Sequence, residues 1–250
     1  MRLKLFTAVA ALVLTLVPTH AQERIRGVVE LFTSQGCDSC PKADAVLSTM
    51  ARQEGVVALA YHVDYWDYRG WRDTLAAPEN TDRQREYADA LGARTVYTPQ
   101  AVINGRTHVN GADRKAVERE LGANDDALPV QVSVRKENGV LTIDVGELAG
   151  PKQNAHVVLI SYDAANPVTI ERGENAGKTV TYSHAVRSMQ TPGVWHGKPA
   201  HFEIPMSEVV KKGNGGCAVL VQTVDAEGRP SKILGAAMLR FRGSAAATRN

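Results

Sequence analysis

Two cysteines, Cys37 and Cys40, stand three positions apart where a strand-like run gives way to a helix-like one. No other feature constrains the chain as much. Residues 27–33 (GVVELFT) are short, apolar and β-branched at their start, as a buried strand requires. After the pair, Ala43, Val46, Leu47 and Met50 recur at helical spacing, which predicts a helix over residues 41–52 with one apolar face. Pro41 fits the first turn of that helix, where its missing N–H would have no partner anyway. A thiolate at a helix N-terminus is stabilised by the dipole and the free N–H groups, which lowers its pKa. Cys37, the more N-terminal and the one expected to be more exposed, is then the candidate nucleophile, and Cys40 would resolve a mixed disulfide. Asp38 between them opposes thiolate formation. A structural disulfide is the alternative, although so small a loop gives little entropic stabilisation. Zinc would need about four ligands, and the one other cysteine, Cys217, lies far along the chain.

The elements around the pair alternate. Residues 56–63 read as a second strand, and 81–91 as a helix opened by a Thr81/Gln84 capping box and ended by Gly92. Residues 100–103 and 106–110 read as strands joined at Asn104-Gly105, a hairpin-turn signal. A last helix covers 113–121. Between the second strand and the second helix lies an aromatic insertion, residues 65–78 (YWDYRGWRDTLAAP), with two of the three tryptophans and no clear period. Thr98-Pro99 precedes the third strand. It is either an ordinary trans proline at a strand start or a cis turn, which is costly enough to be a deliberate feature. Residues 124–129 read as a linker. The second half then changes to a period of two. Residues 130–134 and 141–145 flank Asn138-Gly139, and further short strand candidates follow at 157–162, 168–171, 178–186, 201–204, 217–224 and 233–239, with a helical turn at 207–212. Six to eight short strands predict a sandwich or barrel.

Among 250 residues, 29 are Lys or Arg and 27 are Asp or Glu. Residues 1–21 read as a cleaved secretory leader: Arg2 and Lys4, an apolar run too short for a span of about 20 residues, then Pro18 and a small residue at Ala21. Its removal takes two basic residues and no acidic ones, so the remainder is balanced. A nucleic-acid partner is not expected, nor is a stable membrane span after cleavage. The expected location is periplasmic or secreted, where disulfides persist.

Cys37-Asp38-Ser39-Cys40 opening a helix, Thr98-Pro99 before a strand, and the order βαβαββα resemble the thioredoxin superfamily. The strings VELFTSQGCDSCPKAD, YHVDYWD, YTPQAVINGR and ERGENAGKTV are similar to a narrower group, the secreted thioredoxin-like domain-of-unknown-function family 1223. The resemblance covers nearly the whole chain after the leader. It implies an α/β thioredoxin-like domain over 22–124, interrupted by the insertion at 65–78, followed by an all-β sandwich-like domain over 125–245. It matches Cys37 and Cys40 to the redox pair and Pro99 to a cis proline, with Thr98 exposing its backbone to substrate. Asp-Ser replaces the usual Gly-Pro inside the pair. The implied activity is thiol–disulfide oxidoreduction on protein or small-molecule thiols and disulfides. It uses a redox partner the sequence does not name, and it needs no cofactor because the cysteines are the redox centre.

Tyr65 and Trp66 of the insertion are candidates for the substrate wall, with a local mini-core as the plainer alternative. His62, Asp64 and Asp67 beside a cysteine pair suggest copper handling as a lesser reading. A non-enzymatic envelope-binding module with a structural disulfide is the other alternative. Cys217 opens a strongly apolar strand and is expected to be a buried bystander.

Overall fold

The computed structural model describes residues 24–123, 128–150, 154–210 and 215–241. The expected leader (1–21), most of the expected linker (124–127) and the chain beyond 241 lie outside the described residues.

The first half has the expected element order: β1 (Gly27–Thr33), α1 (Cys40–Met50), β2 (Val56–His62), α2 (Pro78–Ala90), β3 (Gln100–Ile103), β4 (Thr107–Asn110) and α3 (Arg114–Gly122). β1 runs parallel to β2 and antiparallel to β3, and β3 pairs antiparallel with β4. Every residue of β1 and β2 is buried, as in parallel strands covered on both faces. Val29 and Leu31 of β1 meet Ala43, Leu47 and Met50 of α1 and Val117 of α3. Val28 and Phe32 face the other way, into the core shared with Tyr87 of α2. Asn104 and Gly105 turn the β3–β4 hairpin with φ of 52° and 63°, the left-handed pair such a turn demands. Asp113 caps α3 by accepting from the Ala116 amide.

α2 begins three residues earlier than the capping-box reading placed it. Pro78 occupies its first turn after an extended Ala77. Thr81 therefore lies inside the helix, where its hydroxyl donates to Asp64 Oδ1 at 2.7 Å. Gln84 reaches across to the Tyr97 carbonyl and Gln100. The residues that suggested a cap are tertiary contacts instead.

The second half contains β5 (Val132–Glu137), β6 (Val140–Val145), β7 (Ala155–Thr169), β8 (Thr179–Trp195), β9 (Ala200–Pro205), a single helical turn α4 (Met206–Val209), β10 (Gly216–Val224) and β11 (Pro230–Arg240). The two short strands expected at 157–162 and 168–171 are one long strand, β7, of 15 residues, paired with β8 of 17. The expected fold class holds at a coarser level, as a mixed α/β chain with one large mixed sheet and one antiparallel sheet. The strands of the second half do not close into a unit of their own. β8 lies parallel to β2 at Ala60–Ala185, so one sheet runs through both halves in the order β11-β10-β7-β8-β2-β1-β3-β4. The smaller sheet, β5-β6-β9, covers one face of β7, β10 and β11 across a core of Leu141, Ile143, Leu159, Trp195 and Val219. Alternation in β5 and β6 announced a covered face but not which sheet would cover it.

Candidate functional site: the cysteine pair and what covers it

Cys37 and Cys40 form a disulfide with Cα atoms 5.4 Å apart. The chain leaves β1 through Ser34, whose carbonyl accepts from the Cys37 amide, and Cys37 in turn accepts from the Cys40 amide as α1 begins. The pair thus sits at the helix start expected for it. Exposure departs from expectation: Cys37 and Cys40 are each 0 % accessible, although Asp38 and Ser39 between them face solvent.

The covering groups come from both halves. Gly36 lies under Trp66, and a Cβ there would meet Trp66 Cβ and carbonyl at 3.2 Å. The Trp66 indole donates to Thr98 Oγ1 at 2.8 Å, so Trp66 joins the cysteine loop to the Thr98–Pro99 peptide bond, which is cis. Pro99 and Ala43 of α1 meet beside Gly111. Tyr65 is turned toward α2, its hydroxyl donating to Gln84; burial pushes that hydroxyl's pKa up to about 12. The tip of the β7–β8 hairpin arrives from the second half. There Asn175 donates to the carbonyls of Gln35 and Cys37 at 2.9 and 2.8 Å.

Beneath the pair lies a buried polar cluster. Cys40, Asp44 and Ser48 are spaced four apart on α1 and share one face, which looks at β8, where Ser48 and Ser183 hydroxyls are 2.8 Å apart. Asp44 Oδ1 accepts from Thr33 at 2.8 Å. Burial pushes the Asp44 carboxyl up to about 7, partly countered by His62 and Thr33. His62 Nδ1 is 2.8 Å from Asp73. Burial disfavours the charged imidazole, but the Asp73 carboxylate outweighs it and holds the pKa above the ordinary histidine value. Asp73 is lowered despite its burial, by His62 and by the amides of Gln35 and Leu75. Tyr182 of β8 stacks edge-on to His62 at 4.7 Å. Asp44 Oδ2, His62 Nε2 and the Tyr182 hydroxyl are buried without a protein hydrogen-bond partner. Asp73, through Gln35, wires this cluster to the cysteine loop.

Of the residues singled out from sequence, Trp66 and Thr98 meet directly, and Trp66 also touches the cysteine loop. Tyr65 packs beside Trp66, and its hydroxyl reaches both Gln84 of α2 and Thr98. His62, Asp64 and Asp67 do not converge: Asp64 accepts from Thr81 and Asp67 from the Asp73 amide. Among the described residues no three His, Cys, Asp or Glu side chains lie close enough to hold a metal ion. Cys217 is buried, and burial pushes its thiol up to about 12. Asp44, Asp73 and Asn175 escaped the sequence reading. Asp44 had a signal, an acidic residue four after Cys40 beside the apolar stripe of α1. Asn175 lies in the family-like string ERGENAGKTV, but nothing in that string places it at the cysteines; the length of the β7–β8 hairpin brings it here.

The chain is similar to known proteins over most of its length. Residues 28–222 match a family described as "Protein of unknown function (DUF1223)". A "Probable Thioredoxin" of Archaeoglobus fulgidus is 33 % identical over 94 residues, which span 38 % of this chain and 84 % of that protein. A crystal structure of an Agrobacterium tumefaciens protein is 45 % identical, with a TM-score of 0.78, covering 88 % of this chain and 96 % of its own.

Proposed function

From the premise that the chain belongs to the DUF1223 family and is thioredoxin-like around Cys37 and Cys40, we propose that it is a thiol–disulfide oxidoreductase of the periplasm or secreted space. One observation carries the reading: a disulfide at a helix start has, one turn below it, a buried carboxyl, Asp44, whose Oδ2 has no protein partner and which burial pushes up to about 7. Thiol exchange needs a proton donor and acceptor at that place, and a staple does not. In the reaction, a substrate thiolate attacks Cys37 Sγ, and the Cys37–Cys40 bond breaks. Cys40 leaves as a thiolate and takes the Asp44 proton. A second substrate thiol then attacks the mixed disulfide, leaving a substrate disulfide and a reduced pair. Pro99 and Thr98, with Trp66 and Tyr65 packed against them, shape the approach to Cys37. The partners are protein or small-molecule thiols and disulfides, with the cysteines as the redox centre. No helix among the described residues is long and apolar enough to cross a membrane.

The full burial of both cysteines favours a second reading, an envelope-binding module with a structural disulfide. The reduction potential and the reduction of bis(2-hydroxyethyl) disulfide separate the two. The expected result is a potential above about −300 mV, with turnover lost in Cys37→Ser and a mixed disulfide trapped in Cys40→Ser. A lower potential with no turnover selects the staple.

Asp38 bears on the reduced protein. Its exposed carboxylate is one residue from Cys37 and offsets part of the helix-start effect. Titrating thiolate absorbance is expected to give a Cys37 pKa well above that of strongly oxidising relatives with a basic residue in the gap, and Asp38→Asn is expected to lower it. A wild-type thiol as acidic as in those relatives would contradict the assignment.

A further inference from the structure

We propose that Asn175 and Trp66 are the two sides of a cover that restricts exchange at Cys37 to small thiols and small disulfides and excludes polypeptides. The inference rests on the oxidoreductase reading and names its substrate class. Its starting point is that the cysteine carrying the exchange has no accessible surface while its neighbour Asp38 is exposed. Something must move before any substrate sulfur arrives, and the two covering groups are held very differently.

Trp66 is anchored. Its indole is bonded to Thr98, its backbone presses on Gly36, and its ring packs with Tyr65 against the main core. The Arg69 guanidinium lies 5.0 Å above it. The hairpin tip is not anchored in this way. Every residue from 171 to 178 is exposed except Asn175, which is 1 % accessible. The tip is held by the two Asn175 hydrogen bonds, by the exposed ion pair Arg69–Glu174, and by Gly173 lying close on the Arg69 carbonyl and Trp71. Exposed ion pairs add little. Segments with few buried contacts open locally long before the whole molecule unfolds. The tip therefore lifts while Trp66 stays.

Lifting Asn175 uncovers Cys37 from the side of the Gln35 and Cys37 carbonyls. The edge at Thr98, along which an extended chain would lie in a thioredoxin-like protein, is still occupied by the indole. A small molecule can pass and a polypeptide strand cannot. In the reductive direction the Cys37 thiolate attacks one sulfur of a small disulfide RSSR and releases RS⁻. Cys40 then attacks Cys37, releasing the second RS⁻ and re-forming the Cys37–Cys40 bond. One disulfide is reduced, one dithiol is oxidised, and the two thiol protons pass to the two released thiolates.

The test measures how fast the reduced protein reduces bis(2-hydroxyethyl) disulfide and insulin. The wild type is expected to react with the small disulfide at least about tenfold faster than with insulin, a discrimination built by obstruction. Asn175→Ala is expected to raise the small-disulfide rate about tenfold, the loss of two net hydrogen bonds holding the cover, and to leave insulin nearly unchanged. Trp66→Ala is expected to raise the insulin rate. Glu174→Gln, which touches only the exposed ion pair, is expected to give a smaller gain in the same direction as Asn175→Ala, and it serves if that variant folds poorly. Insulin reduced as fast as the small disulfide overturns the inference and leaves the oxidoreductase reading standing. So does a small-disulfide rate that neither hairpin variant changes. Inertness of wild type and hairpin variants toward both substrates removes the oxidoreductase reading itself.

Discussion

Replacing Arg83 with methionine is expected to cost about 3–5 kcal/mol of stability, the range for leaving a buried charge without its partner. Arg83 lies on α2 with its guanidinium Nε 2.8 Å from Glu30 of β1, whose side chain is 0 % accessible. The same guanidinium donates to Gln222 of β10 at 2.8 Å. Tyr87 donates to the other Glu30 oxygen, and Gln222 donates to Tyr87. Burial alone would discourage the guanidinium's charge, but the Glu30 carboxylate and its hydrogen bonds overcome that and hold its pKa well above the usual arginine value. The pair therefore stays ionised, and removing one member strands the other. A double variant, Arg83→Met with Glu30→Gln, is expected to recover most of the loss, because the amide still accepts from Tyr87 and no charge remains. Urea midpoints of the two variants decide it. A double variant as unstable as the single one would show that packing, not stranded charge, sets the cost. The cluster ties β10 of the second half to β1 and α2 of the first. It thus helps hold in register the sheet that carries the β7–β8 hairpin to the cysteines.

How legible such contacts were depends on their range in sequence. The β1 strand, α1, the β3–β4 turn and the cysteine pair could be read from residues within a dozen positions, because hydrophobic period and turn chemistry are local signals. The thioredoxin-like order followed from them. The joining of β8 to β2 could not be read. A fully buried strand such as β2 shows the same apolar run whether its neighbour comes from the next helix crossover or from over a hundred residues away. The sandwich expectation holds only in part for that reason: two sheets do face each other across a core, but alternation reports a covered face and says nothing of what happens at a strand's edge, where β8 joins β2. The site divided in the same way. Cys37, Cys40, Pro99, Thr98 and Trp66 carried motif or composition signals. Asn175 stood in a string similar to the family, but its role did not show, since an asparagine in a glycine-bearing hairpin tip has the composition of any turn. His62 drew attention for its metal-ligating side chain, and the structure gives that side chain to Asp73 instead.

Asp44→Asn is expected to leave stability near pH 4 almost unchanged and to raise it by about 2 kcal/mol near pH 8, about half of what the full displacement of the carboxyl's pKa corresponds to. Burial raises the Asp44 carboxyl from 3.8 to about 7 in the folded protein. A group raised on folding binds its proton more tightly in the native state, so its stabilisation is complete below the unfolded value and is lost as pH climbs through the folded one. Between the ordinary carboxylate range and neutrality, Asp44 therefore makes the wild type progressively less stable. Asparagine imitates the protonated carboxyl and still accepts from Thr33, so it keeps the low-pH state at every pH. The other groups facing this carboxyl do not reproduce the effect. His62, also raised, loses its contribution as pH rises through its own folded value; Asp73 is the larger cause of that raise and the Asp44 charge a smaller one, so the variant keeps most of it. Asp73, lowered, loses its contribution only as pH falls through its folded value, at the acid end. Tyr182 stays protonated throughout, since burial raises it further. The Arg187 charge opposes the raise of His62. Subtracting the two stability–pH curves, measured by urea unfolding from pH 4 to 8, thus isolates Asp44 together with its charge coupling to His62. A difference that stays flat across that range would mean that Asp44 is ionised beneath the disulfide at all these pH values, and it would withdraw the carboxyl as the proton donor to Cys40. A difference that rises toward pH 8 identifies the same proton whose transfer the exchange reaction requires.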